Sequence, residues 1–316
     1  DFHKFKNDDF AIYCINDSVK TIYRNDESLV FTKVFYQYEL FKGNRQIIKK
    51  GQAHFAPNFY EDGIVLTDEW TDYSKKKDKT WFESYVIRRN GTKVNLPKDA
   101  EDVSSISNGI IRFSKESRYT SEGIHLREYG YCDMNGNTIL KPKYFHANDF
   151  FEGLAIVSPP QKLFCFIDKA GNEKFHNKYA FTVRDYSEGW AMVSGGDYPI
   201  TPTFIDKTGI VQLSLESFSV SREDSYKLYQ FHDGVAIARE RYCSKYCLIN
   251  KKGGKIIDSI FDDATIMHSG LAGIYKNKDS GLGRWGIINK KGTIIVPPRC
   301  ANPPQFNNDG SAMLIY

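Results

Sequence analysis

Three acids in this chain stand in one setting. Glu152, Glu188 and Asp233 each precede a glycine and follow an aromatic by two positions, in Phe150-Phe151-Glu152-Gly153, Tyr186-Ser187-Glu188-Gly189 and Phe231-His232-Asp233-Gly234. Carboxylates that recur at one place in a repeat could converge on a channel. Converging carboxylates bind cations or divide the acid and base roles of glycoside hydrolysis. The same acids have a structural use, because acidic side chains near turns accept hydrogen bonds from local backbone amides; that use is the expectation here. His232 and His268 occupy equivalent positions before the turn and invite a ligand reading. Phe151 and Ser187 fill the same slot, however, which suits a solvent-facing turn. Cys243-x-x-x-Cys247 has no second ligand pair or histidine at zinc spacing, so no metal is expected. The stretch "GLGRWG" at 281–286 has dinucleotide-fingerprint spacing, but it leads into a strand instead of opening a helix. No cofactor and no catalytic residue are expected.

These turns belong to a repeat. Besides the three acids, Met267-His268-Ser269-Gly270 follows the same order, with looser copies at Tyr60-Glu61-Asp62-Gly63 and Ile106-Ser107-Asn108-Gly109. A second element recurs as Asp168-Lys169-Ala170-Gly171, Asp206-Lys207-Thr208-Gly209, Asn250-Lys251-Lys252-Gly253 and Asn289-Lys290-Lys291-Gly292, and more loosely as Asp133-Met134-Asn135-Gly136. The elements return about every 43 residues, a period of blade-like and solenoid repeats. In the second element the Asp or Asn side chain bonds the backbone ahead of it. Glycine then takes the left-handed conformation that closes a bulged hairpin. Gly136, Gly171, Gly209, Gly253 and Gly292 are therefore read as structural turn residues. Aromatic and aliphatic strands such as "LFCFI" and "TIIV" flank these turns, and Pro142 and Pro297-Pro298 exclude a central strand where they fall. Each repeat supplies three clear strands and one irregular extended segment.

Residues 285–310, "WGIINKKGTIIVPPRCANPPQFNNDG", resemble the bacterial WG-repeat (KWG) family. Trp285-Gly286 carries its name motif, Tyr129-Gly130-Tyr131 is a near match, and Lys141-Pro142-Lys143-Tyr144 with Phe151-Glu152-Gly153-Leu154-Ala155 fit its later part. The resemblance covers roughly 36–316 and is clearest over 124–316. It implies an all-β repeat architecture, with no defined activity and no catalytic residues to carry over. Counting three back from the turn Asp or Asn gives Gly130, Cys165, Thr203, Cys247 and Gly286. All are small, so something packs closely against that strand.

The expected fold is one all-β domain over 1–316, about seven repeats closed as a seven-bladed β-propeller; an open β-solenoid is the alternative. In the closed form, residues 310–316 complete a blade begun at the N-terminus. Apolar residues at 41% and aromatics at 15% supply a sizeable core. A net charge of +4, with lysines and acids interspersed, lacks the broad basic stripe of a nucleic-acid binder. No apolar window is long enough for a transmembrane helix. The chain opens on Asp1 without Met; if a leader has been removed, a secreted or cell-envelope location follows. Near-equivalent repeats provide surface. The expected function is therefore non-catalytic binding of a protein or glycan, with a propeller-type carbohydrate hydrolase as the alternative. The candidate surface is the insertion "TDEWTDYSKKKDKTWFESY", where Trp70, Tyr73 and Trp81 flank Lys75, Lys76 and Lys77. Tyr and Trp give contact area at low entropy cost, though such rings could equally pack across a long hairpin.

Overall fold

In the computed structural model, residues 2–4, 10–23, 29–42, 45–53, 58–60, 62–72, 79–119, 125–160, 164–176, 182–195, 200–220, 228–278, 281–306 and 311–313 are described. Before residue 58, and over 67–72 and 79–83, the description concerns the backbone. Every regular element among these residues is a strand, and every pairing is antiparallel between chain neighbours. The chain is an all-β repeat of small antiparallel sheets.

The first sheet runs Phe2–Lys4, Phe10–Tyr23, Leu29–Lys42, Arg45–Ala53, and the second runs Asn58–Phe59, Gly63–Asp72, Lys79–Arg88. The third holds Asp102–Ser107, Ile110–Tyr119, His125–Asp133 and Thr138–Tyr144. His146–Ala147, Leu154–Ser158, Cys165–Asp168 and Glu173–His176 make the fourth; Thr182–Val183, Trp190–Ser194, Thr203–Asp206 and Val211–Ser214 make the fifth. The sixth has Val235–Arg239, Tyr246–Asn250 and Lys255–Phe261. The seventh has Asp263–Ala264, Leu271–Lys278, Gly281–Asn289 and Ile294–Cys300, and Gln305–Phe306 pairs with Ala312–Met313 beyond it.

One expectation changes. The irregular segment of each repeat is a short strand in the fourth, fifth and seventh sheets, two residues long, which pairs with the strand after the acid–glycine turn. The first sheet also has its own first strand, Phe2–Lys4, and Ala312–Met313 takes Gln305–Phe306 as partner. Residues 310 and 314–316, which belong to the segment expected to complete an N-terminal blade, lie outside the described residues.

The chain forms two compact units. One is Asp1–Phe150 with Val157–Pro160 and Lys169–Gly171; the other is Phe151–Ile156, Gln161–Asp168 and Asn172–Tyr316. In the first, Val65, Val86, Val103, Ile111, Phe113 and Cys132 pack between the second and third sheets. The second unit has a cluster around Phe166, Tyr186 and Ile205 and a larger one running from Met192 and Phe204 through Phe231 and Ile237 to Ile288. The central strands are buried at consecutive positions, as over Leu154–Val157 and Val235–Ala238, and because successive side chains point to opposite faces both faces of these sheets are covered.

The small-residue row has a local cause. A Cβ on Gly130 would stand 2.6 Å from the Leu140 carbonyl oxygen and 2.8 Å from the Pro142 nitrogen; on Gly286 it would overlap the Val296 carbonyl oxygen and stand 2.8 Å from the Pro298 nitrogen. In both sheets the register shifts at this point, so the fourth strand bulges onto the third. Cys165 and Cys247, buried at 1% and 0% exposure, take the same place in their sheets as small hydrophobes.

Candidate functional site

Two turn types organise the ends of the sheets. At the acid–glycine step the residue before glycine is itself left-handed: φ is 52° at Asn108, 51° at Glu152, 52° at Glu188, 54° at Asp233 and 49° at Ser269. With the following glycine also at positive φ, this is the two-residue type I′ hairpin, whose twist matches the strands it joins. Ser187 and Trp190 exchange both backbone bonds across one such turn, at 2.9 and 3.2 Å.

At the second turn Gly136, Gly171, Gly209, Gly253 and Gly292 have φ between 77° and 85°. Oδ1 of Asp206 accepts from the Thr208 and Ile210 amides at 2.8 and 3.1 Å, and Oδ1 of Asn289 from Lys291 and Thr293 at 3.0 and 2.9 Å. The Asp133 carboxyl lies below the usual range, chiefly through the Asn137 side chain, and that of Asp206 chiefly through the Thr208 hydroxyl. Asp168 is lowered most, with the Lys174 ammonium the largest cause.

The repeated acids do not serve their own turns. The Glu152 carboxylate accepts from the Gly189 amide at 3.0 and 3.2 Å, Glu188 from Gly234 at 3.1 Å to each oxygen, and Asp233 from Gly270 at 2.8 Å. Asp62 does the same for Gly109 at 2.8 Å. Each acid therefore holds the glycine of the next repeat. Two lysines of the second turn type join in: Lys207 lies 3.0 Å from Glu152, and Lys251 lies 3.3 Å from Glu188 while donating to its backbone oxygen at 2.7 Å. Lys251 also sits 5.1 Å above the Trp190 ring. The side chains of these pairs are 31–45% exposed, so they contribute mainly geometry and little net energy.

The two histidines before these turns are unlike each other in surroundings. Burial lowers His232, opposed by Glu188 and Asp233; His268 stacks on Phe306 at 5.7 Å. Among the described residues no group of His, Cys, Asp and Glu is arranged to hold a metal ion.

One polar constellation was not anticipated. Arg112 Nε donates to Asp149 Oδ1 at 3.0 Å and to Ser105 Oγ at 3.1 Å, its Nη1 to the Ala147 carbonyl, and Ser105 bonds the same carboxylate. Nearby, Arg127 bridges Asp102 at 3.0 Å and the buried Ser114 hydroxyl at 2.9 Å. The signal was present. Three residues beyond the acid–glycine glycine stand Leu66, Ile156, Met192, Ile237 and Gly273, and at that position the third sheet alone has an arginine. The donors and acceptors of this group are spent largely on one another, as a polar strut between strands.

Of the candidate surface, Trp70 and Trp81 fall in the second-sheet hairpin and are direct cross-strand partners. Tyr73, Lys75, Lys76 and Lys77 lie outside the described residues. The hairpin pairs without interruption from Gly63↔Arg88 to Asp72↔Lys79. The matching strands of the fifth and sixth sheets are four or five residues long.

The WG containing repeat matches residues 129–158, 246–278 and 285–301. A 92-residue stretch, 29% of the chain, is 26% identical to the arginine–tRNA ligase of Borrelia hermsii (strain HS1 / DAH) and spans 16% of that ligase, so the chain accounts for about a sixth of its curated relative. A crystal structure of the eukaryotic initiation factor is similar over 95% of this chain and 78% of that one, at 10% identity and a TM-score of 0.51. Kluyvelomyces marxianus Hsv2 is similar over 92% of this chain and 96% of its own, at 10% identity and a TM-score of 0.40. At such identity the likeness to the initiation factor is one of fold.

Proposed function

We propose that the chain is a binding or scaffold module that holds a protein or glycan partner without turning it over. What supports this most is where the repeated carboxylates go. Glu152 and Glu188 each hold an amide of the following repeat and a lysine. A carbohydrate hydrolase built on them would need the same oxygens turned toward substrate. The residues that repeat are spent on keeping blades in register, and the variation falls in hairpins.

Those hairpins share one end of their sheets. The second strand of a repeat begins at the acid–glycine turn and the third ends at the Asp or Asn turn. The tip between them therefore lies at the opposite end. In the second sheet this tip reaches furthest from a described acid–glycine turn among the sheets compared above, and it carries Trp70 opposite Trp81. Aromatic residues on a hairpin fixed at its base combine area with pre-organisation, which favours recognition. Tyr73 and Lys75, Lys76 and Lys77 complete the proposed surface.

The test is binding of the full chain on glycan arrays and in pull-downs, comparing wild type with the Trp70→Ala/Trp81→Ala double variant. Binding should weaken at least about tenfold, the scale of a lost hot spot, with the melting temperature nearly constant. Normal binding by the variant, or its unfolding, would reject this surface.

A further inference from the structure

The Asp or Asn turns of the sixth and seventh sheets differ from their counterparts in charge. Asp168-Lys169-Ala170 and Asp206-Lys207-Thr208 are neutral, whereas Asn250-Lys251-Lys252 and Asn289-Lys290-Lys291 carry two positive charges each. The turn itself does not require the change. Asp206 Oδ1 accepts from the amides two and four residues ahead at 2.8 and 3.1 Å, and Asn250 Oδ1 does the same at 2.9 and 3.2 Å. At the acid–glycine step of the seventh sheet, Ser269 stands where other sheets have Glu152, Glu188 and Asp233. An acid is thus missing at three positions and a lysine is added at two, all at one end of the sixth and seventh sheets.

These charges are not neutralised within the chain. Lys251 is held by Glu188, as Lys207 is by Glu152. Lys252, Lys290 and Lys291 are exposed and form no ion pair among the described residues. Asp233, the acid left at these turns, gives its carboxylate to the Gly270 amide at 2.8 Å. The two lysine turns are also neighbours. A Cβ on Gly292 would stand 3.0 Å from the Ile256 carbonyl oxygen, so the seventh-sheet turn backs onto the fourth strand of the sixth sheet. Lys290 lies against the Ser269-Gly270 turn: its amide donates to the Gly270 carbonyl at 2.9 Å, and its Cδ is 3.8 Å from where a Gly270 Cβ would be. Stacked sheets lie about 10 Å apart, so Lys252 and Lys291, at equivalent positions, repeat a positive charge on that scale.

We infer that this end of the sixth and seventh sheets binds an acidic polysaccharide, whose carboxylates or sulfates lie along Lys252, Lys290 and Lys291. The inference rests on the reading of the chain as a binding module, and it names one partner chemistry at a surface other than Trp70 and Trp81. Charge complementarity selects a polyanion. Lysine is depleted in protein–protein interfaces, where aromatic residues and arginine are enriched, and no arginine stands at these turns. Nucleic acid calls for a broader basic stripe than two turns supply. A sugar polymer with one acid per unit, or per pair of units, presents its charges in a row at a fixed interval, as the lysines do. Lysine suits such a partner because its ammonium is a point charge on a flexible stem.

The probes are alginate for carboxylate, heparin for sulfate, dextran as a neutral polymer, and polyglutamate and duplex DNA as acidic peptide and nucleic acid. Each is titrated against the full chain as wild type, Lys252→Ala/Lys291→Ala, Asn250→Asp/Asn289→Asp and Lys98→Ala/Lys141→Ala. The aspartate variant restores the counterpart turn and keeps its hydrogen bonds, so it should fold as wild type does. The last variant removes two exposed lysines elsewhere. Alginate or heparin should bind wild type, and dextran should not. Kd should rise about tenfold with either turn variant, the scale of two lost charge contacts, and less than about twofold with Lys98→Ala/Lys141→Ala. The inference is overturned if neither acidic polysaccharide binds, or if turn and control variants lose affinity alike. It is equally overturned if polyglutamate or DNA binds as tightly through the same lysines. Should Trp70→Ala/Trp81→Ala lose a partner while the turn variants behave as wild type, the binding module stands and this surface does not.

Discussion

The Glu188 carboxylate and the Gly234 amide nitrogen lie 3.1 Å apart although 46 residues separate them in sequence. An acid in one type I′ turn closes on the next turn, and Lys251 pins the acid from a third direction. Replacing Glu188 by Ala leaves that amide without its acceptor and leaves Lys251 the Glu188 backbone oxygen without the carboxylate. The expected loss is about 1 kcal/mol, reduced from a buried charged bond because the pair is a third exposed. Glu188→Gln, which keeps an acceptor oxygen, should lose about half as much. Urea denaturation measures both, and equal losses would show that charge alone matters.

Gly286 is expected to tolerate no side chain. Its Cβ would run into the Val296 carbonyl, so Gly286→Val should cost about 2–3 kcal/mol through forced displacement of the fourth strand. Thr203→Val, in the same row of a sheet that already accepts a Cβ, should change stability by less than about 1 kcal/mol, since it loses the Ser214 contact alone. Similar values for the two would mean that the strand bulge yields.

The turn aspartates predict acid sensitivity. Hydrogen bonds to Asp133 and Asp206 hold their carboxyls below the ordinary value, so the unfolded chain binds protons first as pH falls. Their stabilisation is complete above the unfolded value near 4 and disappears as pH drops through the lower folded value. Asn250 and Asn289 occupy this position without titrating. Asp206→Asn should therefore lose less stability than wild type between about pH 5 and pH 2, across the carboxylate range. Parallel stability curves for the two proteins would contradict the assignment.

Thiol reactivity gives a fourth measurement. Burial pushes Cys132 up to about 12 and Cys247 up to about 11, leaving both protonated at pH 8. Iodoacetamide at that pH should alkylate the half-buried Cys243 in the folded protein, and Cys132 and Cys247 after denaturation. Peptide mass spectrometry reads each site, and early labelling of Cys247 would show that the sixth sheet opens.

The turns were legible because their causes are local. Asp206 needs the amides two and four residues ahead, and Gly209 needs a left-handed φ, so a four-residue word carries the instruction. The destination of Glu188 was not legible in that way. The residue type announced a hydrogen bond to a turn amide, but the amide belongs to a residue 46 positions on, which the fold must bring close. Arg112 was visible as the one charged residue in an otherwise apolar or small row, yet its partner Asp149 lies in the following repeat. The short first strands escaped notice because two residues, such as His146–Ala147, are too few to show alternation.

The clasp from acid to following glycine also has a direction, and direction bears on how such a chain can grow. Where the turn carries an acid, a repeat offers a carboxylate forward and a backbone amide backward, whereas Asn108 and Ser269 fill that place in the third and seventh sheets. Duplicating or excising one whole acid-bearing period by recombination leaves a matched clasp at the new seam, as between Glu152 and Gly189 or Glu188 and Gly234 today. A cut in any other phase strands one half of the pair. Length in this lineage can therefore drift by whole blades, while hairpin tips diversify without touching the joints.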